Sequence, residues 1–293
     1  MKKVVVTGSE GFIGKNLCKY LQEENQYEVI EVDIKHPTNP ISILDKDALG
    51  KACVDAYAIV HLAAISNAND CTKNPVLAFN TNITGTHNVL DAAYDNGAKV
   101  IFASSASVYG KKPALLGSPL DPHDVYSCTK LEGERIIELY ASAHRINYSI
   151  LRLFNIYGNG GKGAVNKFIE NIEAGMPIYI HNKYVTRDFI WVEDVVAQIG
   201  IEIDYLESRQ NILNVGTGMS TSIVDLPKLL ALYYGDSIIN NIQYLTPSKE
   251  EYILGSRAGD IPIYDAEPIY FTLDQGLRLF LNDRLGTSSR PSS

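Results

Sequence analysis

The sequence predicts an α/β protein, a doubly wound parallel sheet with helices on both faces, joined to a smaller mixed α/β C-terminal domain. Three observations predict it. Short apolar runs alternate with amphipathic helical stretches through the first half of the 293 residues, and strand–helix–strand passages close as right-handed crossovers that leave their strands parallel. Glycines recur at Gly8, Gly11 and Gly14, directly after the first apolar run and at the start of the first helical one. Beyond Asn155 the alternation loosens, and short elements are interrupted by Gly, Pro and Asn.

In chain order, residues 3–7 are a nearly continuous apolar run, the pattern of a strand buried on both faces. Residues 14–24 carry the period of an amphipathic helix. Further strands are expected at 28–33, 58–62, 99–104 and 148–154, and helices at 75–96 and 126–144. Residues 1–154 then form a first domain, with returns to its sheet within 186–217, near 188–196 and 212–215. Residues 155–285 form a second, interleaved domain, and 286–293 read as a disordered tail.

Bulk properties exclude several classes. The chain is 45% hydrophobic and 20% charged, an ordinary globular balance, with a net charge of −8. That sign argues against nucleic acid and anionic membranes as partners, so an anionic ligand would have to be held by local groups. No apolar run reaches the ~18–20 residues needed to span a bilayer. The apolar stretch at the N-terminus ends at Thr7-Gly8, too short for a signal peptide. Cys18, Cys53, Cys71 and Cys128 are far apart and the six histidines have no ligand spacing. We therefore expect a cytoplasmic protein with reduced thiols and no metal.

The glycine turn points to a dinucleotide. Gly8 permits a tight turn, Gly11 lets a pyrophosphate approach the backbone, and Gly14 allows close helix–strand packing. The helix that follows offers free N–H groups and a positive dipole end. An acid, Asp33, stands at the end of the second expected strand, where its carboxylate would bind ribose hydroxyls and repel a 2′-phosphate. NAD is favoured over NADP, with Lys35 and His36 pulling the other way.

Tyr126 and Lys130 are one helical turn apart on one face. A phenol ionises near ~10, and moving it to near ~7 requires roughly 4 kcal/mol of differential stabilisation, which a neighbouring ammonium and a cationic nicotinamide would supply. Tyr126 would then take a proton from a sugar hydroxyl. Ser105 lies at the carboxyl end of an expected strand, where open parallel sheets bind ligands, and would hydrogen-bond the reacting hydroxyl; Ser104 and Ser107 are alternatives.

Together these features resemble the extended short-chain dehydrogenase/reductase family, in particular its NAD-dependent nucleotide-sugar epimerases and dehydratases. The resemblance runs from Lys3 to about Leu281. It includes His61-Leu62-Ala63-Ala64, the segments 82–86, 151–158 and 187–195, Asn214-Val215-Gly216-Thr217-Gly218, and Arg257-Ala258-Gly259-Asp260. It implies a Rossmann-type first domain and a nucleotide-sugar-binding second domain. By position it implies a catalytic triad of Ser105, Tyr126 and Lys130, and Phe12 and Ile13 over the pyrophosphate. Ile43 would lie beside the adenine, Leu62, Ala63 and Ala64 along the cofactor, and Asn82 near it. Asn155, Arg187 and Arg257 would grip the sugar-nucleotide diphosphate. Read alone, Asn155 could cap a strand, Arg187 could pair with Asp188 or Glu193, and Arg257 could be a solvated loop charge.

In the dehydratase branch the position of Ser105 is usually a threonine followed by Asp-Glu, the acid and base for water loss. Here Ala106 and Ser107 follow, which leaves C4 epimerisation of a nucleotide-diphosphate hexose through a 4-keto sugar as the expected reaction. The alternatives are a keto-sugar reductase or decarboxylase of the same family, or a non-catalytic NAD-binding regulator, which would tend to lose the tyrosine or lysine. Three departures from the family pattern stand out: Asn182-Lys183-Tyr184 where Gly-x-Gly is usual, a short 260–268 segment expected to lack a C-terminal helix common in the family, and a compressed 111–124 segment. The resemblance further implies a homodimer through the Tyr126 helix and the helix near 85–96.

Overall fold

The computed structural model describes residues 1–111, 114–205, 210–245 and 270–285. The described chain runs β1 (Lys2–Thr7), α1 (Phe12–Glu23), β2 (Tyr27–Val32), α2 (Lys46–Ala52), β3 (Ala58–His61), α3 (Ala68–Lys73), α4 (Pro75–Phe79), α5 (Gly85–Asn96), β4 (Lys99–Ser105), α6 (Val125–His144) and β5 (Tyr148–Leu153). It continues with β6 (Asn155–Tyr157), α7 (Ala164–Glu173), β7 (Ile178–Ile180), β8 (Thr186–Trp191), α8 (Val192–Asp204), β9 (Gln210–Val215), β10 (Ser220–Ser222), α9 (Leu226–Tyr234), β11 (Ile242–Tyr244) and α10 (Leu273–Leu285).

The chain divides into two compact units. The first takes Met1–Gly110, Pro119–Leu153 and Val195–Asn214. Its six-stranded sheet has the order β2-β1-β3-β4-β5-β9, and the β1–β2, β1–β3, β3–β4 and β4–β5 pairs are all parallel. Val4, Val5 and Val6 are fully buried, because both faces of β1 are covered, and this is why the strand reads as a continuous apolar run. One core cluster joins Val5, Ile59, Val100 and Phe102 of the strands to Val89 of α5 and Ile137 of α6. Chain order reverses beside β1, so the carboxyl ends of β1 and β3 flank the crevice where this architecture receives ligands.

The second unit takes the described residues of 111–118, 154–194 and those from Val215 onward. It holds a three-stranded sheet, β10-β8-β6, and a two-stranded one, β11-β7. In the former β8 pairs antiparallel with β10 and parallel with β6. Phe168 and Ile169 of α7, Leu226 and Leu230 of α9, and Leu277 and Phe280 of α10 build its core.

Two expectations need correction, and one gains detail. The helix expected over 75–96 forms across those residues without a gap: α4 starts on the Asn74 cap with Pro75 in its first turn, and residues 80–84 form a π-helical turn that joins it to α5. The Gly85 N–H bonds the Asn80 carbonyl across that wider turn, a device that re-aims side chains without ending the helix. The return expected near 188–196 begins only at Val195, in α8, because β8 is committed to the sheet of the second unit. Strand β5 ends at Leu153, and the Phe154 N–H bonds the Val215 carbonyl. The expected tail and the 260–268 segment lie outside the described residues. Among those described, no helix is long and apolar enough to cross a membrane.

Candidate active site

The glycine turn has the stereochemistry of a phosphate cradle. Gly8 adopts φ +77, and its N–H bonds the Val32 carbonyl at 2.8 Å. A Cβ on Gly8 would lie 2.7 Å from the Ala63 nitrogen, and one on Gly14 would lie 2.2 Å from the Gly8 carbonyl oxygen. Neither position can carry a side chain. Helix α1 begins at Gly11 without a side-chain cap, so its first N–H groups, those of Phe12 and Ile13 among them, are offered to a ligand. The Ser9 hydroxyl in the same turn is buried and has no hydrogen-bond partner among the described residues, an orphan that a phosphate oxygen would satisfy. Asp33 ties this turn to the end of β2, its two oxygens accepting from Glu10 N–H at 3.1 Å and Lys35 N–H at 2.7 Å. Glu10 and Glu31, with His36, bring ligand atoms within 4.8 Å of one another in this part of the unit. These carboxylates add to Asp33 in disfavouring a 2′-phosphate, though Lys15 neutralises Glu10 at 2.9 Å.

Leu62, Ala63 and Ala64 follow β3 directly against Gly8, half-buried, with the Leu62 N–H on the Thr7 carbonyl. Two of the neighbouring candidates make structural contacts within the protein. Asn82 has its amide spent inside the protein. Its oxygen accepts from Ile65 N–H at 2.8 Å, and its nitrogen donates to the Ile65 carbonyl and to Thr129 Oγ1. It therefore holds the loop that follows Leu62–Ala64 at Ile65. Ile43 is 5% exposed, its side chain packs on Gly85, and its carbonyl accepts from Asn88 Nδ2. His61 is a residue that sequence reasoning passed over except as a motif letter. It is buried, bridges Thr7 Oγ1 at 2.8 Å and Thr86 Oγ1 at 3.0 Å, and burial holds its pKa down to about 3. It is a neutral strut that ties β1, β3 and α5 together.

The proton-handling group stands at the end of β4 and the start of α6. Asp124 caps α6 by accepting from the Ser127 N–H at 2.8 Å, in a reciprocal capping box. This places Tyr126 in the first turn, where the dipole favours an anion. Ser105 ends β4, and a hydrogen bond to it lowers the Tyr126 pKa. Burial outweighs that bond, and Cys71 and Asp124 add to it, so the phenol is pushed up to about 12. Lys130 is 4% exposed, and its Nζ donates to the Ala103 carbonyl at 2.7 Å and sits 4.8 Å above the Phe102 ring. Burial lowers its pKa to about 8, against the pull of Cys71 and Glu134. The expected lysine-assisted phenolate is therefore not built into the protein alone. The ammonium gives one of its N–H donors to a backbone carbonyl, and desolvation raises the Tyr126 pKa.

Behind this group lies a buried network with no local signature in the sequence. Glu134, one turn beyond Lys130, receives Arg152 Nε at 3.0 Å and Nη2 at 2.7 Å, together with the Ser104 hydroxyl. Arg152 also donates to Tyr109 Oη at 2.9 Å, which donates to Asn214 Oδ1 at 2.8 Å. Ser104 is thus structural, and Ser105 is the hydroxyl left facing Tyr126.

Two further candidates belong to the second unit. Asn155 Nδ2 donates to the Asp188 carbonyl at 3.0 Å, aligning β6 with β8. Arg187 is half-buried, and its Nη1 donates to the Thr186 carbonyl at 2.8 Å. Neither alternative carboxylate partner holds it. Among the described residues it makes no ion pair, and Asp188 is occupied by Thr217 N–H, Thr217 Oγ1 and Gly218 N–H at 2.7–2.9 Å. Desolvation accordingly lowers the Arg187 pKa. Asn182 replaces the usual glycine turn with a side-chain turn, its oxygen accepting from Tyr184 N–H. Arg257 lies outside the described residues.

A parallel doubly wound sheet, a side-chain-free phosphate cradle with an acid on the next strand, and a Ser–Tyr–Lys group at the end of β4 define a dinucleotide-dependent enzyme of the extended short-chain dehydrogenase/reductase type. The model of the NAD dependent epimerase/dehydratase family matches residues 4–216, and the chain belongs to that family, with NAD as its cofactor. A GDP-6-deoxy-D-talose 4-dehydrogenase from Aggregatibacter actinomycetemcomitans is 34% identical over 240 residues, covering 78% of this chain and 79% of that protein. A UDP-N-acetyl-alpha-D-glucosaminuronate decarboxylase from Bacillus cytotoxicus is 29% identical over 252 residues, covering 77% and 78%. Among solved structures, the UDP-glucose 4-epimerase of Thermotoga maritima with UDP-glucose has a TM-score of 0.86 at 26% identity, covering 97% of this chain and 99% of that one.

Proposed function

We propose that this enzyme is a nucleotide-diphosphate-hexose 4-epimerase. The observation that carries the reading is the make-up of the proton-handling group: hydroxyls of Ser105, Ser107 and Tyr126 and the ammonium of Lys130, with a buried methyl, Ala106, directly after Ser105. The nearby Asp124 carboxylate is committed to capping α6. Loss of water needs a dedicated acid and base beside the sugar; reversible oxidation at C4 needs a single proton acceptor, a role that suits Tyr126. When bound, NAD supplies the acceptor and donor for the C4 hydride. Tyr126 would take the proton of the C4 hydroxyl, and Ser105 would hydrogen-bond the Tyr126 oxygen. In the second unit, the half-buried Arg187 guanidinium without a carboxylate partner among the described residues favours an anionic ligand such as the diphosphate, with Asn155 of β6 as a second candidate to hold it. Arg257 is assigned to the same diphosphate on the family pattern alone.

The test is interconversion of UDP-glucose, UDP-N-acetylglucosamine and their galacto partners without added NAD. A wild-type enzyme that turns over no UDP-, dTDP- or GDP-sugar would end this reading. The dehydrogenase and decarboxylase relatives keep a second reading open, and net reduction of NAD or release of CO2 would favour it. Tyr126→Phe should cut turnover by about 10²–10⁴-fold while NAD remains bound; full activity in that variant would remove Tyr126 from the chemistry. We also propose a homodimer built on α5 and α6, whose outer surfaces carry the exposed Tyr94 and Leu139.

A further inference from the structure

Ser107 is the residue of the proton-handling group whose work is unassigned. It stands two residues past Ser105, in the short 3₁₀ turn Ala106–Tyr109 that Ser105 caps. Its N–H donates to Ser105 Oγ at 3.1 Å, and its hydroxyl lies 2.9 Å from the same oxygen. A serine hydroxyl has one proton to give and two lone pairs to fill. When Tyr126 is ionised its oxygen can only accept, so the single Ser105 proton must point at it. Ser105 Oγ then has both lone pairs open, and the Ser107 N–H and O–H are the two donors in place to fill them.

Resting on the epimerase reading above, we propose that Ser107 is a positioning residue. It donates into Ser105 and so commits Ser105 to act as a donor toward ionised Tyr126 during proton removal from the sugar. The chain runs Ser107 O–H to Ser105 O–H to the Tyr126 oxygen, and hydrogen bonds in series polarise one another. No proton leaves either serine: the sugar proton goes to Tyr126, and the two hydroxyls rotate when Tyr126 is protonated. The other groups acting on Tyr126 are Cys71 from α3 and Asp124 at the helix cap, both of which oppose ionisation, while Lys130 points its ammonium at the Ala103 carbonyl. Ser105 is the group that lowers the phenol's pKa, which makes its orientation matter. Ser107 occupies the position that the dehydratase branch fills with a carboxylic acid, so a hydroxyl there marks a site built to orient a serine.

The test uses the NAD-loaded enzyme, Ser107→Ala and Ser107→Thr. The Tyr126 ring is labelled with ¹³C at Cζ and its signal is assigned by its loss in Tyr126→Phe. The midpoint of its titration is then compared with the low-pH limb of kcat against pH. We expect Ser107→Ala to move both to higher pH and to lower kcat below the limb by roughly 3- to 10-fold, with KM changed less than about twofold and Ser107→Thr restoring the wild-type values. Unmoved midpoints in Ser107→Ala, or a loss of kcat without any shift, would overturn the proposal. If the wild type epimerises nothing, the epimerase reading falls by itself, and the ¹³C titration still decides the role of Ser107.

Discussion

Tyr126 and Lys130 move in opposite directions for one reason. Both are desolvated, and desolvation disfavours whichever form is charged, so the phenol rises to about 12 and the ammonium falls to about 8. For Lys130 the folded value lies below its ordinary 10.5. Its favourable contribution to stability is present above 10.5 and lost as pH falls through about 8, so at neutral pH the buried ammonium costs on the order of 3 kcal/mol. Lys130→Met should therefore melt higher than wild type at pH 7, converge with it above pH 10, and have no turnover. Calorimetry across that range checks it, and a variant that melts lower at pH 7 would show that the bond to Ala103 outweighs desolvation. The same physics explains why Arg187 stands out: a desolvated guanidinium without a carboxylate is costly unless something anionic arrives.

At the scale of elements, the glycine turn and the helix that carries Tyr126 were both legible, because each is a short-range pattern with a local cause. The π turn inside the 75–96 helix was not, since the helical period continues through it and the wider turn shows only in the Gly85 N–H bond to the Asn80 carbonyl. The first turn of α8 carries a carboxylate with a measurable signature. Asp194 is 2% exposed, accepts from Phe271 N–H at 3.0 Å, and is raised by burial to about 7, with Glu193 adding to the rise. Its folded value exceeds the ordinary 3.8, so the stability it contributes is complete below 3.8 and is lost as pH rises through 7. Over that window the loss approaches about 4 kcal/mol. Asp194→Asn keeps an acceptor for Phe271 and cannot ionise, so its melting temperature should stay nearly flat between pH 5 and 8 while that of the wild type falls. Parallel curves would show that Asp194 is solvated and unperturbed.

At the scale of the whole molecule, a net charge of −8 argued against polyanion partners, and the anion-facing features among the described residues are local ones: an uncapped helix N-terminus and the single arginine Arg187. The proposed dimer is a prediction of this scale. The outer faces of α5 and α6 carry an aromatic and histidine cluster in which Tyr94 and Tyr140 lie 4.7 Å and 4.5 Å from His144, and His87 meets Tyr140 edge-on. With exposed Tyr94 and Leu139 alongside, this composition suits an interface. Light scattering at micromolar concentration should give twice the chain mass, and a monomer would contradict the proposal.

By itself the sequence determined the alternation of strands and helices, the glycine cradle with Asp33, the pairing of Tyr126 with Lys130 on one helical face, and the family. These rest on periodicity and on backbone conformations that few residues allow, both of which are local. Tertiary structure decided what those residues experience. It turned the Lys130 ammonium onto the Ala103 carbonyl, spent the Asn82 amide on Ile65 and Thr129, and left Arg187 without a carboxylate among the described residues by occupying Asp188 with the 217–218 turn. It also set Glu134 and Arg152 as a buried pair behind Ser105. Burial and hydrogen-bond partners depend on which distant segments the fold brings together, and no spacing along the chain encodes them.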